Sequence, residues 1–290
     1  RVNTLGFRGE ALASIAEWAE GHLTSRVSGA ESAASIRVAY GTLGDVMPAA
    51  RRIGTTVEVR NLFARLPARL QYLRSTRAEA QAIVRVVQTA AIGVPGVHFL
   101  LRMDGREALN WPATTDPVER IAQVFGDAFA RALLPIEEER GGLALRGFVS
   151  HPEAAPKRAT RSAIFVNGRP VDLPAVRGGV RQAFRGRIAS DHVPEVIAWV
   201  DTTPDAVDPN VSPDKSQVRL RDGDQIGALT YNATEKALSS LLAMGSVVDA
   251  VRPIVDWTPL PAPRAPSPSP RPESVTRSRA FGDLFETIES

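Results

Sequence analysis

Eight of the twenty residues from Pro253 to Pro272 are proline, interleaved with Ala, Ser and Arg. Proline lacks a backbone donor and restricts φ, so such a run builds neither helix nor sheet and favours extended polyproline II segments. It reads as a disordered, Pro-rich linker, and a folded core has to come from the residues before it. The chain of 290 residues is 43% hydrophobic, which suits two domains of ordinary size. No apolar run approaches the roughly 18 residues of a membrane span, and no secretory leader is visible. The cytoplasm is the expected compartment, with no membrane partner. Residue one is Arg1 and the first methionine is Met47, so the chain reads as a piece of a longer protein, with essential chemistry expected upstream.

With no cysteine and four histidines, disulfides, thiolate metal sites and cysteine nucleophiles are excluded, and little remains for a zinc site. The formal net charge is +3, with Lys157, Lys215 and Lys236 as the lysines. Arginine forks suit phosphate and carboxylate, but an arginine bias also follows from genomic base composition.

Leu12 to Glu20 reads as a helix after a glycine-bounded turn at Gly6 to Gly9. His22–Val27, Ser35–Tyr40 and Thr55–Arg60 read as strands of a small antiparallel sheet. Helices follow from Pro67 to Leu73 and from Glu79 to Ala91. Val97–Met103 and Glu107–Trp111 form a hairpin through Asp104-Gly105, and the first unit is expected to end at Pro112. A second unit opens with a helix at Asp116-Pro117, carrying Ile121, Val124 and Phe125 on one face. Strands at Leu143–Ser150, Ser162–Val166 and Val196–Val200 follow. A short helix spans Val176–Phe184, interrupted at Gly178-Gly179, and Ile226–Leu242 closes the unit. This order predicts an α+β fold, with domains at 1–112 and 113–245 and the linker with a short amphipathic tail at 246–290.

The most informative stretch is Gly6-Phe7-Arg8-Gly9-Glu10-Ala11-Leu12-Ala13-Ser14-Ile15. Its two glycines permit close backbone approach, and the following helix offers unpaired N–H groups to an anion. Alone, the pattern fits a tight turn as well as a phosphate cradle. The whole string, however, resembles the third nucleotide-binding motif of MutL-type DNA mismatch repair proteins, members of the GHKL ATPase superfamily. Gly54-Thr55-Thr56-Val57-Glu58-Val59, with Asn61-Leu62-Phe63 and Pro67-Ala68-Arg69, resembles the fourth motif, in the same order. Phe165-Val166-Asn167-Gly168-Arg169 and Asp208-Pro209-Asn210-Val211-Ser212-Pro213-Asp214-Lys215 extend the match.

The resemblance implies the C-terminal part of a GHKL (Bergerat) ATPase sandwich, followed by a transducer domain with a ribosomal-protein-like βαβ fold. It implies ATP with Mg²⁺ as the nucleotide cofactor. Arg8, Gly9, Glu10, Ala11 and Leu12 would contact the phosphates within a lid shaped by Gly6 and Phe7. Thr55 would help fix the adenine end; as a residue it is also an ordinary β-branched strand former. Lys215 would reach the γ-phosphate from the second domain, although it also fits a solvated surface lysine. Pro209 and Ser212 stand where the family usually has Val and His. The glutamate base, the Mg²⁺-binding asparagine and the Asp-x-Gly-x-Gly segment of the superfamily are not found ahead of the lid motif. The chain alone is therefore expected not to hydrolyse ATP.

Arg177, Arg181 and Arg185 fall four apart, with Arg187 close by, and on a helix they form one basic stripe. It fits either a solvated face or phosphate contacts with DNA, and the family resemblance favours DNA. The same resemblance implies mismatch-recognition and strand-incision partners and a homodimer in the intact protein. Phe281-Gly282-Asp283-Leu284-Phe285 weakly resembles peptides that dock on sliding clamps, and it also fits an amphipathic helix end. Two other readings stay open: the ATPase subunit of a type II topoisomerase, and a non-enzymatic DNA-binding scaffold.

Overall fold

The computed structural model describes residues 10–203, 207–208, 219–220 and 223–243. The chain divides into two compact units between Ala80 and Gln81. The first carries α1 (Glu10–Glu17), β1 (Glu20–Arg26), β2 (Ala33–Ala39), β3 (Thr42–Leu43), β4 (Met47–Ala49), β5 (Gly54–Arg60) and α2 (Pro67–Tyr72). Its antiparallel sheet runs β3-β2-β1-β5, with β4 also paired to β2. Glu20, expected at the end of the first helix, instead opens β1. Among the described residues of this unit, the buried apolar side chains are Ala16, Ala19 and Ala33. Val57 and Val59 of the outer strand β5 are 47% and 42% exposed.

The unit boundary falls inside α3 (Thr76–Gly93). The second unit continues with the hairpin β6 (Phe99–Met103) and β7 (Arg106–Trp111), then α4 (Pro117–Phe125) and α5 (Asp127–Arg131). Asp104 and Gly105 take φ values of 50° and 75°, the positive pair that a two-residue type I′ turn requires. Asp116 caps α4 by accepting from the Val118 amide at 2.8 Å, with Pro117 at the first helical position, where its missing N–H costs nothing.

β8 (Leu133–Arg140), β9 (Leu143–Ser150), β10 (Ala163–Val166), β11 (Arg169–Pro170), α6 (Pro174–Ala183) and β12 (Val196–Asp201) follow. The short pair β13 (Val207–Asp208) and β14 (Arg219–Leu220) precedes α7 (Gly223–Ala243). The main sheet runs β11-β10-β12-β9-β8, and β10 and β12 are parallel neighbours joined through α6, a βαβ unit. Both faces of this sheet are covered. Ile164, Val166, Val196, Ala198 and Val200 pack against Val176 and Val180 of α6 and Ile226 and Leu229 of α7. The alternate residues Phe165, Ile197 and Trp199 meet Ile92, Trp111, Ile121 and Phe129 on the other side. That double burial explains why β10 and β12 are uninterrupted apolar runs rather than alternating strands.

Further differences from the sequence reading lie in the second unit. The strand β8 was not anticipated, because Pro135 and the run Glu137-Glu138-Glu139 argue against a strand; β8 lies at the sheet edge, where proline and charge are tolerated. The helix α6 passes through Gly178 and Gly179 without a break. The β6–β7 hairpin, assigned to the first domain, shares a core with the second unit through Trp111. Among the described residues no helix is long and apolar enough to cross a membrane. The linker and the clamp-like tail lie outside the described residues.

Candidate functional site

Gly6, Phe7, Arg8 and Gly9 of the lid motif lie outside the described residues, while Glu10, Ala11 and Leu12 form the first turn of α1. Leu12 faces inward, lining an apolar cavity of about 60 Å³ with Ile15, Ala16, Ile36 and Val57. The helical half of the motif thus has a packing role as well as a place beside the loop. Thr55 sits on β5 directly opposite Ser25 of β1, and their hydroxyls hydrogen-bond at 2.9 Å. It is exposed, with its hydroxyl on the sheet surface.

The segment after β5 explains its own composition. Asn61 and Phe63 both have positive φ, 55° and 61°; asparagine tolerates this region, and phenylalanine does so only when held there. The Phe63 amide donates to the Trp18 carbonyl at 2.9 Å, and the Asn61 side chain donates to Glu20 at 3.1 Å. Arg69 of α2 lies over the rings of Trp18 and Phe63, at 5.3 and 5.5 Å. The 61–69 segment is therefore tied to the chain just after α1, the helix that carries the end of the first motif.

In the second unit, Asn167 and Gly168 take φ of 48° and 78° and turn β10 into β11. The Asn167 side chain accepts from the Thr202 amide at 2.9 Å, fixing the end of β12. Lys215 lies outside the described residues; its segment leaves and returns through the paired ends Asp208 and Arg219 of β13 and β14.

The arginine stripe is divided by the structure. Arg177 is ion-paired with Asp172. Arg187 forms a bidentate pair with Glu235 of α7, at 2.6 and 2.9 Å. That hydrogen bond holds the Arg187 pKa up and the Glu235 pKa down. Arg187 therefore ties the end of the α6 segment to α7 and offers less to a ligand than its place beside the stripe suggests. Arg185 follows the helix rather than lying within it. Arg181 and Arg185 are exposed and, among the described residues, have no ion pair. What the sequence could not reveal is the neighbour of this helix: residues 159–162 and 193–196 meet α6 around a polar cavity of about 140 Å³, lined in part by Arg177 and Arg181.

Comparisons with known proteins agree with this architecture. The second unit matches the family model "DNA mismatch repair protein, C-terminal domain" over residues 121–239. A solved N-terminal domain of a DNA repair protein superposes with a TM-score of 0.70 at 23% identity, covering 84% of this chain and 79% of that one. The Aquifex aeolicus MutL ATPase domain complexed with ADP gives 0.54 at 26% identity, with 67% and 72% covered. The fold is thus that of a GHKL-type ATPase region with its transducer. The MutL mismatch repair protein of Azorhizobium caulinodans is 39% identical over 254 residues, 86% of this chain and 41% of that protein. The chain belongs to the MutL family of DNA mismatch repair proteins, and it spans less than half the length of this relative.

Proposed function

We propose that this chain supplies the ATP-responsive lid and the transducer of a MutL switch, which couples nucleotide state to DNA contact during mismatch repair. The observation that carries the proposal is the 39% identity to a MutL protein over 254 residues, a span long enough to join the lid, Thr55 and the transducer in one chain. In this reading residues 1–112 carry the ATPase part and 113–245 the transducer. Arg8 to Leu12 close over the phosphates, Thr55 sits near the adenine end, and Lys215 donates to the γ-phosphate as a point charge. Mg²⁺ would supply charge neutralisation at the phosphates. Among the described residues no group of His, Asp and Glu converges as a metal site, so no ligand to it is assigned and no step is derived through it.

Nucleotide binding would order the lid and favour a homodimer, and the exposed arginines of α6 would contact DNA without reading sequence. Mismatch-recognition and strand-incision proteins would be the partners in the cytoplasm. In the full-length protein, Lys215→Ala should lower ATP turnover about tenfold or more, as loss of a charged donor to a transferring phosphoryl group does, while ADP affinity stays within about twofold. Steady-state turnover and ADP titration check this, and unchanged turnover would remove Lys215 from the mechanism. Arg181→Glu should weaken duplex binding at low salt and flatten the salt dependence by about one unit of logarithmic slope per lost phosphate contact. Filter binding across a salt series measures it.

A further inference from the structure

The polar cavity beside α6 is built from parts that the arginine spacing does not announce. Thr160 and Ser162 line one side, Val180 and Pro194 contribute apolar wall, and Arg177 and Arg181 stand at α6. Ser162 Oγ accepts from the Val196 amide at 3.1 Å. That bond uses an acceptor site and leaves the hydroxyl proton free to be donated.

The acidic group nearest these walls is already neutralised. Glu195 is fully buried, and its carboxylate accepts from the Thr160 and Arg161 amides at 2.9 and 2.8 Å. It also pairs with Arg161 Nε at 2.9 Å. Arg161 is held in place over the Phe129 ring at 4.2 Å. Glu195 thus fixes the Thr160–Arg161 backbone, its charge balanced by Arg161. Asp172 engages Arg177, and Asp191 engages Lys157 and His192. Of the two arginines that line the cavity, Arg177 is engaged by Asp172 and Arg181 is exposed and has no ion pair among the described residues. The cavity holds about four or five water volumes, room for one tetrahedral oxyanion.

We propose that this cavity is a phosphate site that seats one backbone phosphate of duplex DNA, with Arg181 and the hydroxyls of Thr160 and Ser162 as its donors. The proposal rests on the reading of α6 as a DNA-contacting face and adds to it a fixed register point: phosphate contacts of this kind position a protein on the duplex without specifying sequence. Arg185, one turn further along, would then track the same strand outside the cavity.

The test titrates inorganic phosphate, then a short DNA duplex, into the ¹⁵N-labelled protein and follows the Thr160 and Ser162 amides and the Arg181 Nε–H. Saturable shifts with phosphate are expected, lost in Arg181→Gln, weakened several-fold in Ser162→Ala, retained in Arg185→Gln and displaced by duplex. Non-saturating shifts, or shifts indifferent to Arg181→Gln, would overturn the site even if both arginine variants still weaken DNA binding, which would leave the DNA-contacting face standing. Saturable phosphate binding that duplex does not displace, with DNA affinity unchanged in both arginine variants, would instead overturn the DNA face, and with it the assignment of the phosphate to DNA.

Discussion

Arg120→Met should destabilise the second unit by at least about 1–3 kcal/mol, the range for leaving even one buried hydrogen-bonding group unsatisfied. Arg120 is fully buried on α4, yet among the described residues no carboxylate pairs with it. Its guanidinium instead donates to the carbonyls of Pro95, Val97, Pro112 and Trp111, at 2.6, 2.7, 3.0 and 3.3 Å. One side chain therefore joins the turn after α3 to the end of the β6–β7 hairpin. Burial lowers its pKa, partly opposed by Glu119, but an arginine remains charged throughout the ordinary pH range. Methionine fills similar volume and satisfies none of the four oxygens. Lysine, with three donors at one point rather than a planar fork, should recover less than half of the loss. Urea unfolding followed by circular dichroism measures both, and a loss below about 1 kcal/mol, the net worth of one ordinary hydrogen bond, would show that the network is dispensable.

The adjacent glycines of α6 should respond with opposite signs to the same substitution. A Cβ at Gly178 meets nothing within 4 Å, so Gly178→Ala should stabilise by about 0.5–1 kcal/mol through helix propensity. A Cβ at Gly179 would lie 2.5 Å from the Gly227 carbonyl oxygen, 2.9 Å from Thr230 Cβ and 3.0 Å from the Tyr231 amide. Two of those neighbours are backbone of α7 and cannot rotate away. Gly179→Ala should therefore cost about 1–3 kcal/mol, as overpacking does, despite the same gain in propensity. Thermal melts of the two single variants decide the matter, and equal shifts would mean that α6 and α7 can move apart without penalty.

These two positions also show where sequence reasoning reached and where it stopped. The hairpin turn at Asp104-Gly105 and the start of α4 at Asp116-Pro117 were legible, because each depends on residues adjacent in the chain. By the same local logic the glycine pair reads as a helix break, whereas Gly179 is there because another helix crosses at that point. The sequence does not single out Arg120 for a related reason: arginine is usually solvent-facing, and only the carbonyls gathered from residues 95–112 make its burial tolerable. Of the candidate site, the lid string, Thr55 and Lys215 were legible as motifs, but the phosphate cavity was not. Its hydroxyls and its arginines are separated in sequence and meet only through the βαβ crossover. Arg187 shows the converse, a residue grouped with the stripe for its nearness and claimed by Glu235.

The placement of the indole rings gives this chain its own optical readout. Trp111 and Trp199 are 6% and 4% exposed in the second unit, and Trp199 stacks on Phe165 at 5.6 Å; Trp18 is half-buried in the first unit, beneath Arg69. Acrylamide should quench the first two weakly and Trp18 readily. The sequence carries a fourth tryptophan, Trp257, so emission from a Trp18→Phe, Trp257→Phe double variant would follow the second unit, and its difference from Trp257→Phe alone would follow the corner just after α1. Ligand-induced ordering at that corner would be visible without any attached label.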